Sequence, residues 1–353
     1  MNPGFIVPAL GRPSGGSTYD AEILAHWPSR AVRPELVELA GAWPEPDAAA
    51  HSALRAALAR FDVTILDGLV GAAHPDAIDA ATATGRRVVL LIHLPLADEG
   101  GLGAADRTRL ETLERASVHA AWRVVATSRS AAEDIARRHG RPDVVAILGG
   151  ANPAPAAVLH RTPHLLTVGA IGPLKNQLAV ARALAGCAGL RWRASLVGPV
   201  ADPAYAGAVE AALPPGARLT GPRTGADLAA TWASGDLLLH PSRVETYGLV
   251  VADALAHGIP AIVGRGTGAE EALRAGADVT LRAGADGLDA GASRTLPGTA
   301  VDPDDPDELT RALRAWLSDP SLRRTWRRAA LRARPHVRTW DAAASEQAGL
   351  IHA

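Results

Sequence analysis

Short runs of Val, Ile and Leu alternate with longer helical patterns along almost the whole of this 353-residue chain, and that alternation limits its fold more than any other feature. In the first part the runs GFIVPAL (4–10), VTILDGL (63–69), RVVLLIHL (87–94) and WRVVATS (122–128) predict strands. DAAAHSALRAALARF (47–61) and RTRLETLERASVHAA (107–121) predict helices between them. Nearly continuous apolar strands, each followed by a helix, call for a parallel sheet covered on both faces. A second series starts near residue 160, with strands expected at HLLTVGAI (164–171), WRASLVG (192–198), ARLTG (217–221), DLLLHPS (236–242) and IPAIVG (259–264). The aperiodic, Gly- and Pro-rich GGANPAPAAVLHRTPH (149–164) marks the linker between the two series. The expectation is two Rossmann-like doubly wound α/β domains, residues 1–155 completed by a C-terminal helix at 336–353, and residues 160–335. Ligands in such folds sit at the C-terminal strand ends, here predicted to face one another across a cleft.

Charge narrows the partners. With 36 basic and 37 acidic residues the net charge is −1, which argues against a nucleic-acid surface. The arginine-dense RRTWRRAALRARPHVR (323–338) reads as a solvated helix face. No apolar run approaches the ~20 residues of a membrane span, and MNPGFIVPALGRPSGG lacks the charged start of a signal peptide. Cys187 stands alone, so no internal disulfide can form. A cytoplasmic location is expected. No His, Cys or acidic cluster has metal-ligand spacing, so no metal is expected either.

Two segments carry chemistry. HPSRVETYGLVVADALAHGIPAIVG (240–264) reads as strand end, loop, helix and next strand. Glu245 lies in the loop, and Gly248, Leu249 and Val250 open the helix with unpaired amides suited to a phosphate. Asp253, eight residues after Glu245 and expected at the end of the second turn, is placed to accept from hydroxyls such as those of a ribose. Taken singly, Glu245 reads as a helix cap and Asp253 as a solvated carboxylate. VGAIGPLKNQLAV (168–180) holds Lys175, the one lysine among the 36 basic residues.

The spacing of Glu-x-Tyr-Gly, four residues and an acid resembles the Glu-x7-Glu signature of family-4 glycosyltransferases, a retaining family with the two-domain GT-B fold. PSGG (13–16), LIHLPL (91–96), VVATSRSAAEDI (124–135), LTVGAIGPLKNQ, PGTAVDPDDPDELTRAL (297–313) and Trp340 resemble further segments of that family. The resemblance implies a hexosyltransferase that moves a sugar from a nucleoside-diphosphate sugar to an acceptor, with no cofactor. It implies that Glu245 and His93 contact the donor sugar and that Asp253 holds the ribose. Lys175 and the Gly248, Leu249 and Val250 amides would hold the diphosphate, with Tyr247 beside them and Gly15 and Gly16 lining the opposite wall. Asp253 stands where the family usually has Glu, and Ala170 where it has an arginine, with Arg243 or Arg265 as substitutes for the missing cation.

Other readings share some of these residues. Gly264, Gly266 and Ala269 fit a loose dinucleotide fingerprint, with Asp286 about twenty residues on. A nucleotide-sugar epimerase shares the two-domain architecture. A pseudo-transferase that only binds nucleotide sugar fits the two departures from the family pattern. For the acceptor, a small soluble molecule is expected, with Asp98 and Glu99 as candidate contacts.

Overall fold

A strand covered on both faces must be apolar at successive positions, and Val88, Val89, Leu90, Leu91 and Ile92 are each at most 1% exposed. Each such side chain contributes roughly 1.5–3 kcal/mol on leaving water. The computed structural model describes residues 1–11, 14–275 and 295–352. It divides the chain into Met1–Gly150 with Trp340–Ala353, and Ala151–Thr339.

The first unit is a six-stranded parallel sheet in the order β2-β1-β3-β4-β5-β6. Its strands are β1 (Pro3–Pro8), β2 (Glu35–Leu39), β3 (Val63–Asp67), β4 (Arg87–Ile92), β5 (Arg123–Ala126) and β6 (Val145–Ala146). β1 pairs with both β2 and β3, so the order reverses there. The edge strands β2 and β6 escaped the sequence reading. β2 buries only Leu39 and β6 has two half-buried residues, so neither shows an apolar run. The Trp340–His352 helix belongs to this unit and lays Trp340 edge-on against Tyr19, with ring centres 5.6 Å apart.

The second unit repeats the design, in the order β12-β11-β10-β7-β8-β9. The strands are β7 (His164–Val168), β8 (Arg193–Val197), β9 (Ala217–Leu219), β10 (Leu237–His240), β11 (Ala261–Gly264) and β12 (Gly298–Val301). β7 pairs with both β8 and β10, so this sheet reverses between β7 and β10. The short Gly-Thr-Ala-Val of β12 was not among the strands expected from the sequence.

The arginine-dense Pro320–Ala333 helix is not wholly a solvated face. Arg327 is buried and donates to the carbonyls of Gly258 and Ala157, and Arg334 donates to those of Ala154 and Ala256. These guanidiniums satisfy carbonyls left over at the end of the Leu249–Ala256 helix and along the linker.

At the ends of β7 and β8 the backbone passes so close that Gly198 is obligatory. Its φ is +155°, and an added Cβ would lie 1.9 Å from the Gly169 oxygen. Gly198→Ala is expected to cost on the order of 2–4 kcal/mol, read as a lower denaturation midpoint; an unchanged midpoint would refute this packing constraint.

Candidate active site

The reversal between β7 and β10 puts their following loops side by side, the position where open parallel sheets bind ligands. The loop after β7 is held from within and from without. Gln177 accepts from the Gly172 N–H at 3.2 Å and donates to the Ala170 carbonyl at 2.8 Å. A 3-10 turn at Pro173–Lys175 then ends on Asn176, whose φ of +58° is a left-handed conformation that Asn tolerates. The buried Asn176 amide donates to the carbonyls of Pro241 (3.2 Å) and Pro303 (2.8 Å), tying three strand-end loops together. Arg243 N–H donates to the Leu174 carbonyl, closing the loop from the β10 side.

Lys175 is thereby delivered to Glu245. Its Nζ lies 2.7 Å from Glu245 Oε2. The same oxygen lies 2.8 Å from His240 Nε2, and Ser242 Oγ lies 3.1 Å from that nitrogen. Burial disfavours a charge on Glu245, but Lys175 and then His240 outweigh it and hold the carboxyl far below the usual range. The Glu245 backbone is fixed as well, its carbonyl accepting from Gly268 N–H at 2.7 Å. Sequence reasoning passed over His240 and Ser242. Their signal was His-Pro-Ser at the strand end, which reads equally well as a turn.

Three residues after Glu245 the chain turns through Gly248, at φ +82°, where an added Cβ would meet Ala269 Cα at 2.8 Å. The Leu249–Ala256 helix starts there, and no side chain caps it. Glu245 is therefore not a helix cap, and the amides of Leu249 and Val250 open the helix with the positive end of its dipole. Tyr247 is buried behind the turn. Asp253 falls at the start of the second turn rather than its end, because the helix begins at Leu249, and it is half-buried.

Of the glycines in the dinucleotide-like stretch, Gly264 and Gly268 have a packing role, while Gly266 has open space beside it. A Cβ on Gly264 would lie 2.2 Å from the Ser242 oxygen, and one on Gly268 2.1 Å from the Thr246 oxygen. This loop is small so that the Glu245 loop can lie against it. Asp286, the acid of that reading, lies outside the described residues, as does Pro13 of the first glycine loop.

The first unit gathers a second cluster at its own strand ends. His93, just after β4, puts Nε2 2.9 Å from Asp20 Oδ1 and 3.4 Å from Asp67 Oδ2. Gly16 is the surface the ring lies on, since a Cβ there would stand 2.9 Å from His93 Cδ2; Gly15 makes no such approach. Tyr19 meets the ring edge-on at 5.2 Å. Burial opposes a charge on His93, but Asp20 and Asp67 push its pKa up to about 10. Burial also pushes Asp20 up to about 7, against the pull of His93. Asp20, Asp67 and His93 lie close enough to share a cation, as do His51, His74 and Asp76, so a purely sequential search for ligand spacing missed both groups.

Other candidates are occupied elsewhere. Arg243 pairs with Asp304 at 2.8 Å, and Arg265 with Glu308, so neither guanidinium is directed at Glu245 or Lys175. Asp98 is gripped by both terminal nitrogens of Arg138, at 2.8 and 2.9 Å. That removes Asp98 as a ready acceptor contact, while Glu99 beside it is exposed.

Residues 162–319, inside the second unit, match the family model described as Glycosyl transferases group 1. That match takes in most of the second unit and under half of the chain. A D-inositol 3-phosphate glycosyltransferase of Salinispora arenicola (strain CNS-205) is 30% identical over 237 residues, 63% of this chain and 44% of that protein. The aligned region is thus less than half the length of that curated relative. Anabaena HepE, solved in complex with UDP and glucose, has a TM-score of 0.75 at 16% identity, over 100% of this chain and 99% of that one. Sucrose-phosphate synthase from Thermosynechococcus elongatus gives 0.74 at 16%, over 100% and 98%. At such identities the likeness is one of fold, and the two parallel-sheet units are those of GT-B proteins.

In the second unit, Lys175 and then His240 keep the buried Glu245 carboxyl charged. A carboxylate whose proton affinity falls on folding adds stability above its unfolded pKa of about 4.3 and loses it as the pH drops below that value. Glu245→Gln should therefore lower stability by roughly 1–3 kcal/mol near neutrality and flatten the acid limb. Urea midpoints measured between about pH 3 and 7 check this; parallel pH profiles for both proteins would contradict it.

Proposed function

We propose that the protein is a retaining, family-4-type glycosyltransferase that moves a hexosyl group from a nucleoside-diphosphate sugar to a small soluble acceptor in the cytoplasm. The observation that carries the reading is the lone lysine, set against Glu245 at the sheet reversal beside an uncapped helix start. Lys175 and the Leu249 and Val250 amides hold the diphosphate, with Gly248 letting it approach the backbone. Glu245 grips hydroxyls of the donor sugar, Asp253 those of the ribose, and Tyr247 supports the turn. His93, on the first unit, serves as a donor to a substrate hydroxyl.

The chemistry demands charge stabilisation on the departing phosphate more than a strong protein base. As the bond from anomeric carbon to phosphate oxygen breaks, negative charge grows on the nucleoside diphosphate. The ammonium and the helix-end amides face that charge with little reorganisation. The acceptor hydroxyl attacks from the same face and gives its proton to the leaving phosphate, so configuration is kept without a protein nucleophile.

A lysine suits this position because an ammonium has three donors around one point. It can keep Glu245 while donating to a phosphate oxygen, whereas a guanidinium presents a planar fork. It also answers for the alanine at 170, whose place in the loop is filled by its carbonyl's bond to Gln177. The leaving group is held by side chains and amides alone, so no metal enters the step.

A thermal-shift screen of UDP, GDP, ADP and dTDP, followed by calorimetry, tests the reading. One nucleotide should raise the midpoint, and Lys175→Ala should weaken its binding by about tenfold or more. Lys175→Arg should fold normally and turn over donor at least about tenfold more slowly. A chelator should leave turnover unchanged. No shift with any nucleotide would overturn the proposal, and release of an epimerised nucleotide sugar without acceptor would replace it with epimerisation.

A further inference from the structure

Among the described residues of the first unit, His93 is the one ring that meets two buried carboxyls through a single nitrogen. Nε2 lies 2.9 Å from Asp20 Oδ1 and 3.4 Å from Asp67 Oδ2, and both acids are at most 4% exposed. Three elements converge to make this contact: the Gly15–Ala25 helix brings Asp20, the end of β3 brings Asp67, and the residue after β4 is His93 itself. The surroundings leave the ring little freedom. Gly16 lies against Cδ2, Tyr19 packs edge-on, and Tyr19 is itself pinned by its hydroxyl bond to the Ile147 carbonyl at 2.8 Å. The segment following His93 is also anchored, since Glu114 accepts from Leu96 N–H at 2.7 Å and bonds His139 at 2.8 Å.

The two acids are not equivalent. Asp67 uses its other oxygen to accept from the Leu69 N–H at 2.7 Å, which caps the short helix that follows β3 and fixes that carboxylate. Asp20 has only one oxygen engaged; its Oδ2 is buried without a hydrogen-bond partner. An unpaired buried carboxylate oxygen is expensive unless the charge it carries is answered close by. The imidazole is the group that answers it. Asp20 and Asp67 are the charged groups acting on His93.

We infer that Asp20 is a positioning residue for catalysis: with Asp67 it keeps His93 a cation with Nε2–H directed at the two carboxyls. His93 can then offer a substrate only its Nδ1–H, as a hydrogen-bond donor, and cannot serve as a general base near neutral pH. The inference deepens the proposed transferase reading, on which the substrate role of His93 rests. It also gives a reason for an acid in the first helix that no motif of the sequence singled out.

The test reads the proton on His93 directly and turnover separately. In 15N-histidine-labelled protein, with His93→Gln to assign the signal, wild-type His93 should stay protonated across about pH 5–8, where an ordinary histidine titrates. Asp20→Asn keeps the shape and a hydrogen-bonding group but removes the charge, so the signal should then titrate at a lower pH than in wild type. Asp20→Glu, which restores the charge, should move it back upward. With the preferred donor and acceptor, kcat of Asp20→Asn should fall as the pH rises through the new transition, while wild-type kcat shows no such step and KM for donor stays within about twofold. A wild-type His93 that titrates normally, or an Asp20→Asn variant with an unchanged titration, would overturn the inference. If the titrations come out as expected while neither protein transfers sugar, the transferase reading fails and the control of His93 by Asp20 stands.

Discussion

Asn176 is the residue on which the second unit's site most depends. It sits where the sheet order reverses, and its one side-chain amide reaches the loops that follow β10 and β12. A parallel sheet brings its loops to one edge but leaves their mutual positions to be settled by such cross-ties. The left-handed backbone at Asn176 turns the chain from a 3-10 turn directly into the Gln177–Gly186 helix, so Lys175 is held between two fixed points. A long flexible side chain needs that support to present a charge at a defined place.

The pair made by Lys175 and Glu245 then decides the electrostatics. Each partner lowers the cost of keeping the other charged away from water, and His240 and Ser242 extend the hydrogen-bonded chain. The contact leaves the lysine's remaining donors and the uncapped amides of the Leu249–Ala256 helix as the site's positive components. The first unit solves a related problem with opposite signs, surrounding one imidazole with two acids. Both solutions arise at strand ends and next to the reversal of their own sheet, where loops from non-sequential strands are forced together.

Much of this was legible in the sequence, for a physical reason. Doubly covered strands carry unbroken apolar runs, so β1, β3, β4, β5, β7, β8, β10 and β11 stood out, while the edge strands β2 and β6 had little to bury; β9 was expected from the sequence although it too is an edge strand with no buried residue. Glu245, Gly248 and Lys175 were visible because an acid, a glycine and a lone lysine occupied recognisable positions in strand–loop–helix patterns. His240 was not, because a histidine at a strand end has many bland explanations. Asp20 and Asp67 were invisible for a deeper reason: they lie 73 and 26 residues from His93, and only the parallel topology brings them to it. The glycines at 264 and 266 pointed the other way. Their spacing suggested a cofactor turn, whereas Gly264, together with Gly268, makes room for the Glu245 loop.

The central claim is that the loop after β7 and the start of the Leu249–Ala256 helix form one phosphate-binding site. A crystal structure of the protein with its preferred nucleoside diphosphate measures this most directly. The expected result is a terminal phosphate within hydrogen-bonding distance, about 2.7–3.2 Å, of Lys175 Nζ and of the Leu249 or Val250 amide. A nucleotide bound elsewhere, with the contact between Lys175 and Glu245 unchanged and the helix start untouched, would contradict it.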